Sequence, residues 1–419
     1  METNTILTKI RYNYLSLGFL LIVIFVLLRP LTLAVPSVFL ETYKILDFFS
    51  IVFSYLFLIL ILFNLKTIKL DKVTFFILLY CTYVAFSFLW GSSAREIGRM
   101  ILPLVVFFYV RTNLIDEQRL KIMIAALVIG YIYPIAGSFL SILTGTAPYE
   151  LVWHAGVTKT QGILSDVHPY AHAMLVFSFL YAIFTCVIGK NRIKLRIALF
   201  IMLILSLFCL YKSGVRTVYL GLLIFWGFYL LITNRKYFII FISAVLCFIA
   251  INTLHLEKVF WQTENPKERS IDSASSGRIT IWKNNLSIYD KGYSIGQKIF
   301  GIGLGKEGRQ ARYNFKEPHV RSSHNDYLSV FLLLGPFGLI LYLIIYVVLI
   351  CDIFYSSIEW KLRSVFIGVL FSVIAMNFVS NSYIVRVELA QYFWLFIGIF
   401  YALNDTTKEL EKAGTKRIS

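Results

Sequence analysis

Apolar stretches long enough to cross a membrane recur from one end of this chain to the other, and they decide what it can fold into. A hydrocarbon core about 30 Å thick needs about 20 helical residues at about 1.5 Å of rise each. Every backbone polar group inside lipid must be satisfied within its own segment, so such stretches become helices. They fall near 14–34, 44–64, 73–90, 97–110, 121–143, 170–188, 195–212, 217–233, 237–254, 336–354, 363–383 and 387–403. Glycine, proline and polar clusters separate them, with no internal repeat or low-complexity tract. The first follows Lys9 and Arg11 as a signal peptide would. No clear small-x-small cleavage site comes after it, and many more spans do, so it reads as the first anchor.

Composition excludes the soluble alternative. Hydrophobic residues make up 58% of the 419 and charged residues 15%, and the mean hydropathy is +0.74. A water-facing surface needs charge near a quarter of the residues. The five cysteines (Cys81, Cys186, Cys209, Cys247, Cys351) all lie inside apolar runs without metal-ligand spacing, and they read as packing residues. The net charge of +17 reflects topology and anionic lipid headgroups, because no nucleic-acid motif accompanies it.

The basic residues of the connecting segments give the orientation. Lys66, Lys69 and Lys72; Arg111, Arg119 and Lys121; Lys190, Arg192, Lys194 and Arg196; Arg235 and Lys236; Lys361 and Arg363 all fall on one side of a twelve-span count. Lys9, Arg11 and the basic tail from Lys408 to Arg417 join them. By the positive-inside rule that side is cytoplasmic, with both termini inside. The chain therefore reads as all-α, a single polytopic membrane domain over 1–419 with about twelve transmembrane helices. One large external loop, 255–323, separates spans nine and ten and is expected to hold short helices and part of an active site.

Positive charge on the outer side is then the anomaly. Arg95 and Arg99 flank the fourth span, Lys212 and Arg216 lie between the seventh and eighth, and Arg386 precedes the last. The large loop adds twelve basic residues, Arg278, Arg312 and Arg321 among them, against seven acidic ones. Long loops translocate whatever their charge, so a basic solvated loop explains many of the lysines. The arginines suit function better, because guanidinium matches phosphate oxygens bidentately and stays charged. An arginine cluster beside the bilayer suits a pyrophosphate on a lipid carrier.

The apolar run from Asn325 to Phe354 is too long for one span, and Gly335-Pro336 interrupts it. A break is expected there, with a short interfacial helix over 325–334 and the true span from Pro336. Ser322, Ser323 and Asn325 are N-cap types with His324 among them. A helix start here adds free N–H groups and partial positive charge to the arginines.

These residues form a pattern. Ser276-Gly277-Arg278 with Trp282, Phe300-Gly301-Ile302-Gly303-Leu304-Gly305, and His324-Asn325-Asp326-Tyr327-Leu328 with Gly335-x-x-Gly338 resemble the bacterial O-antigen ligase/polymerase family. Gly214-x-Arg216-Thr217 resembles its arginine at the outer end of a mid-chain helix. The motifs cover roughly 210–340. The resemblance implies a GT-C-like, metal-independent and cofactor-free glycosyltransferase of the inner membrane, acting outside the cytoplasm. Its donor would be a glycan on undecaprenyl pyrophosphate and its acceptor another glycan or lipid A-core, with membrane lipid and a chain-length regulator protein as further partners. Carried over by position, Arg216 and Arg278 hold the leaving pyrophosphate, and His324 orients or deprotonates the acceptor hydroxyl for an inverting displacement. The physical case agrees: a diphosphate leaving group needs charge stabilisation more than an acid, and a histidine near neutral pKa suits proton removal.

Arg321, Arg312, Asn325, Trp282, His168 and Tyr327 complete the expected site as substrate-binding residues. His168 and His172, one helical turn apart, also have the spacing of a metal pair. Pro169 sits where the helix should begin, however, and no glutamate of the metalloprotease motif accompanies them. The ligase branch tends to carry leucine four residues after the loop arginine, and Trp282 in that place leans the reading toward a polymerase. A lipid-linked-oligosaccharide flippase is the alternative from another class, but transporters gather charge near the bilayer midplane, and these span interiors are nearly charge-free. An inactive receptor or scaffold would leave the outer arginines and histidine unexplained.

Overall fold

The computed structural model describes residues 2–32, 43–63, 65–114, 117–146, 150–153, 157–160, 162–163, 167–187, 192–252, 261, 269–306, 322–380 and 386–412. Helices α1 (Glu2–Thr32), α2 (Tyr43–Leu62), α3 (Lys72–Phe86), α4 (Ala94–Asn113) and α5 (Glu117–Leu143) open the chain. A short antiparallel pair follows, β1 (Glu150–Trp153) on β2 (Val157–Thr160), with Glu150 opposite Thr160. Then come α6 (Val167–Val187), α7 (Ile193–Ser213), α8 (Arg216–Thr233) and α9 (Arg235–Ile251). The large loop supplies α10 (Ile271–Ala274), α11 (Arg278–Gly292) and α12 (Ile295–Phe300), and α13 (Asp326–Phe354), α14 (Trp360–Val379) and α15 (Val387–Lys412) complete the fold.

Over its described residues each apolar stretch read from the sequence is mainly helical. Among the described residues, seven helices are long and apolar enough to cross a membrane: Lys72–Trp90, Gln118–Leu143, Val167–Val187, Ile193–Ser213, Arg216–Thr233, Asp326–Phe354 and Trp360–Val379. Leu17–Thr32 and Ile51–Leu62 are shorter apolar pieces. Where the chain turns between helices, polar side chains close the free ends. Asp71 accepts from the Thr74 amide at the start of α3, Ser93 from Glu96 at the start of α4, and Asn234 from Lys236 and Tyr237 at the start of α9.

The centre of the bundle is α6, whose residues are buried along nearly its whole length, with the buried faces of α4 and α15. Packed around it, α1 pairs with α5, α4 with α15, α8 with α14, α6 with α7 and α3 with α13. Small residues permit the closest approaches: a side chain at Gly130 on α5 would strike the Leu27 carbonyl of α1, and one at Gly221 on α8 would strike Met376 and Ser372 of α14. The periphery is apolar and exposed. On α9 no residue is buried, and Ile239, Ile240, Leu246 and Ile251 face outward, a surface stable against lipid but not water.

The break expected at Gly335-Pro336 is present: Gly335 is non-helical (φ 71°, ψ 179°) and divides α13 into a short helix before it and a longer one from Pro336. Pro336 has no N–H, so the Leu332 carbonyl loses its helical donor. The glycine-rich segment after α12 replaces it. Ile302 N–H donates to Leu332 O at 3.2 Å, Gly303 N–H to Leu333 O at 2.9 Å, and the Tyr83 hydroxyl to Leu334 O at 2.7 Å. This contact requires glycine: a Cβ on Gly301 would lie 2.3 Å from the Leu333 carbonyl, and one on Gly335 2.0 Å from the Ile299 carbonyl. The Gly-x-Gly-x-Gly run is thus a seam that fixes the large loop against a kinked span.

Candidate active site

Three chain segments deliver the expected catalytic residues to one place. Arg216 is set by the turn between α7 and α8: Gly214 is left-handed (φ 62°), and Ser213 Oγ accepts from the Val215 amide at 3.3 Å. Arg216 is then the first residue of α8. Its guanidinium donates to the Ala274 carbonyl and to the Ser276 hydroxyl of the large loop. The Ser-Gly-Arg motif explains itself locally. Ser276 (φ 59°) and Gly277 (φ 74°) make a left-handed turn that takes the chain from α10 into α11. Arg278 emerges from it as the first residue of α11, and its Nη1 donates to the Val379 carbonyl at the end of α14.

Both helix starts are electrically unusual. Val215 and Gly277, the N-cap residues of α8 and α11, make no side-chain cap bond, and an arginine follows each. A cation at a helix N-terminus opposes the macrodipole, whereas an anion there is favoured. Nor does Arg278 have a carboxylate within ion-pair distance among the described residues. Asp272, the near acid, is occupied by Thr280, whose amide and hydroxyl donate to it at 3.0 Å and 2.8 Å. Burial and the neighbouring Arg216 charge push the Arg278 guanidinium down to about 10.

His324 has a left-handed backbone (φ 47°), uncommon for a side chain with a Cβ. It is held from both sides. Ahead of it, Trp282 Nε1 donates to the Ser323 carbonyl at 2.6 Å, with the indole edge-on to Phe378 at 5.8 Å. Behind it, Asn325 caps α13 by accepting from the Leu328 amide at 3.0 Å. The buried Ser323 hydroxyl ties the turn by donating to Asn325 O at 3.0 Å. Between these anchors the imidazole keeps an exposed edge and makes no hydrogen bond to a described residue. Burial, then the Arg278 and Arg386 charges, hold it below the ordinary 6.5, so it is neutral at pH 7 and able to accept a proton.

The other residues singled out from the sequence divide. Arg312 and Arg321 lie outside the described residues. Trp282 and Asn325 stand beside His324 and fix its backbone. Tyr327 turns its hydroxyl inward to the Ile374 carbonyl at 3.0 Å. His168 lies in the first turn of α6, a turn from the buried His172. Two residues of this region lay outside the sequence reading of the site. Val379 anchors Arg278 through its backbone, which carries no side-chain signature. Arg386 stands within electrostatic reach of His324; its place among the outer basic residues was the only signal of it.

A helical membrane protein with guanidinium groups and a neutral imidazole gathered at one end of its bundle is the class that fold and site define. Residues 201–343 match the family model described as O-antigen ligase, which supports an O-antigen ligase/polymerase-like family. The match runs from α7 to the middle of α13 and takes in Arg216, Arg278 and His324. No curated protein matches the chain significantly.

Proposed function

We propose that the protein is a glycosyltransferase of the outer face of the bacterial inner membrane, acting on glycans carried by undecaprenyl pyrophosphate. In this reading twelve helices span the membrane, both termini are cytoplasmic, and the 255–323 loop is one external wall of the site. The acceptor hydroxyl oxygen attacks the anomeric carbon and passes its proton to His324. The bond from that carbon to the diphosphate oxygen breaks, the electron pair leaves with the diphosphate, and the configuration inverts. Arg216 and Arg278 take up the charge that develops, the task metals perform in other glycosyl transfers.

The observation that carries the reading is Arg278: half-buried, anchored on a neutral carbonyl, its pKa lowered by burial and then by Arg216, and within electrostatic reach of His324. A cluster of this kind is most stable with an anion in it. Surface-polysaccharide polymerisation is the favoured activity on the strength of Trp282. Transfer to lipid A-core is the second reading, favoured by the description of the matching family.

Replacing Arg278 or His324 with alanine is expected to abolish long-chain glycan with protein level and topology intact, read on a glycan gel of a complemented deletion strain. Core bearing a single repeat unit marks a lost polymerase, and full-length chains held on the lipid carrier mark a lost ligase. Normal glycan in both variants would exclude the catalytic roles. Repeat units trapped inside the cell would identify a flippase instead.

A further inference from the structure

The two arginines carried over from the family pattern stand on one wall of the site. A third arginine, Arg386, lies near the same histidine, His324. Arg386 directly precedes α15, and its carbonyl accepts from the Leu389 and Ala390 amides, so the base of its side chain is fixed by the helix start. The last residues of α14, Phe378 and Val379, hold Trp282 and Arg278. Arg386 therefore follows closely in sequence on the helix end that positions the loop wall. Its Nη1 is buried and has no hydrogen-bond partner, and no carboxylate among the described residues lies within ion-pair distance of it. The side chain as a whole is half-exposed, so another edge of the same fork stays open. It also lies within Coulombic reach of His172 on α6.

A buried guanidinium nitrogen without an acceptor is costly, since a lost charge-assisted bond is not replaced by water there. A bound ligand is one way such a group is completed, and a site beside His324 offers one. The imidazole of His324 feels both Arg278 and Arg386, so both guanidinium groups lie within electrostatic reach of one side chain. A diphosphate presents oxygens in several directions, and donors on one wall reach only part of them.

We propose that Arg386 is a third diphosphate-binding residue, gripping the lipid-linked leaving group from the α15 side while Arg216 and Arg278 hold it from the loop side. This rests on the glycosyltransferase reading above. The diphosphate enters with its charge shared among three guanidinium groups, and its departure is steadied without a proton from the protein.

The test uses the full chain in phosphatidylcholine nanodiscs, with binding of a prenyl diphosphate and of inorganic pyrophosphate measured directly. Arg386→Gln is expected to weaken prenyl diphosphate binding by between about ten- and a hundredfold, as loss of one charge-assisted bond does. Lys291→Gln, an exposed charge on α11, is expected to bind as wild type does. If Arg386→Gln fails to fold, Arg386→Lys answers, because it keeps the charge and gives up the fork; it too must lose affinity. Wild-type affinity in the folded variant, with Arg278→Gln impaired, overturns the role of Arg386 and leaves the glycosyltransferase reading standing. Failure of the wild type to bind either probe overturns both. An Arg386 effect that appears only in nanodiscs of phosphatidylglycerol assigns the group to lipid headgroups and overturns the proposal.

Discussion

Arginine is used in opposite ways at the two ends of this molecule. Along α15, Arg386 and Asp405 stand about 30 Å apart at about 1.5 Å per residue. At the Asp405 end, Arg111 of α4 is buried and fully paired. It meets Asp71 at 2.7 Å and Asp405 at 2.9 Å, donates to the Thr74 hydroxyl at 3.3 Å, and lies over Tyr401 at 4.7 Å. Lys69 extends the network to Glu409 at 2.8 Å. At the Arg386 end, Arg278 is held by a backbone carbonyl and Arg216 by a carbonyl and a hydroxyl. Carboxylates fix a guanidinium and cancel its charge. A neutral acceptor, as at Arg278, fixes it and leaves the charge available. The first arrangement is a clamp between α3, α4 and α15, and the second suits an anion.

The widest separation of the two comes from removing Arg278. Arg278→Gln is expected to lower the rate of glycan transfer about 10²- to 10³-fold, the scale of one lost electrostatic donor to a developing anion. Thermal stability should stay level or rise, because a like-charge contact with Arg216 disappears. A melting temperature that falls together with activity would make Arg278 a structural residue and dissolve the contrast.

Arg111→Gln should do the reverse. Asp71 and Asp405 would be left facing each other without their cation, at a cost of about 2–3 kcal/mol. That is below the roughly 3–5 kcal/mol of a fully buried pair, because both acids keep some water. Unfolding measured by differential scanning fluorimetry should shift down, while transfer per folded molecule holds. The Asp71 carboxyl sits below its usual 3.8: burial would raise it, but the bonds from Arg111 and Thr74 prevail. The clamp is therefore intact at neutral pH and loses strength only as pH falls below 3.8.

Much of this contrast is legible in the sequence, for physical reasons that differ by residue. Helix positions follow from the need to satisfy backbone groups in lipid, which makes an apolar run unambiguous. The bend at Gly335 follows from proline. Arg216, Arg278 and His324 stand in local motifs whose left-handed residues, Gly214, Ser276 and Gly277, are sequence neighbours. Contacts made through backbone carry no such mark, so the Val379 anchor was hidden. Trp282 reads as a substrate-binding residue in sequence, yet its indole N–H is committed to Ser323, a partner 41 positions away. The span interiors also look nearly free of charge in sequence, whereas the structure buries Arg29 completely in α1, donating to Thr32 at 3.3 Å and lying over Phe49 at 5.8 Å. Its place beside Pro30 near the end of an apolar run disguises it as an interfacial residue.

The smallest expected effect is also the most specific, because it ties the outer arginines to His324. The imidazole is held below 6.5 by burial, then by the Arg278 and Arg386 charges. A base must be neutral to work, so the acid limb of kcat/KM, which reports the free enzyme, should lie below pH 6.5. Removing either positive neighbour makes protonation easier, so in Arg278→Gln and Arg386→Gln the limb should move to higher pH. Burial remains in both variants and limits the movement. Arg111→Gln is the control, since a charge change about 30 Å away is screened beyond a Debye length of about 8–10 Å. A limb that stays fixed in the outer variants, or moves equally in Arg111→Gln, would mean that another group sets the profile and that His324 is not the base.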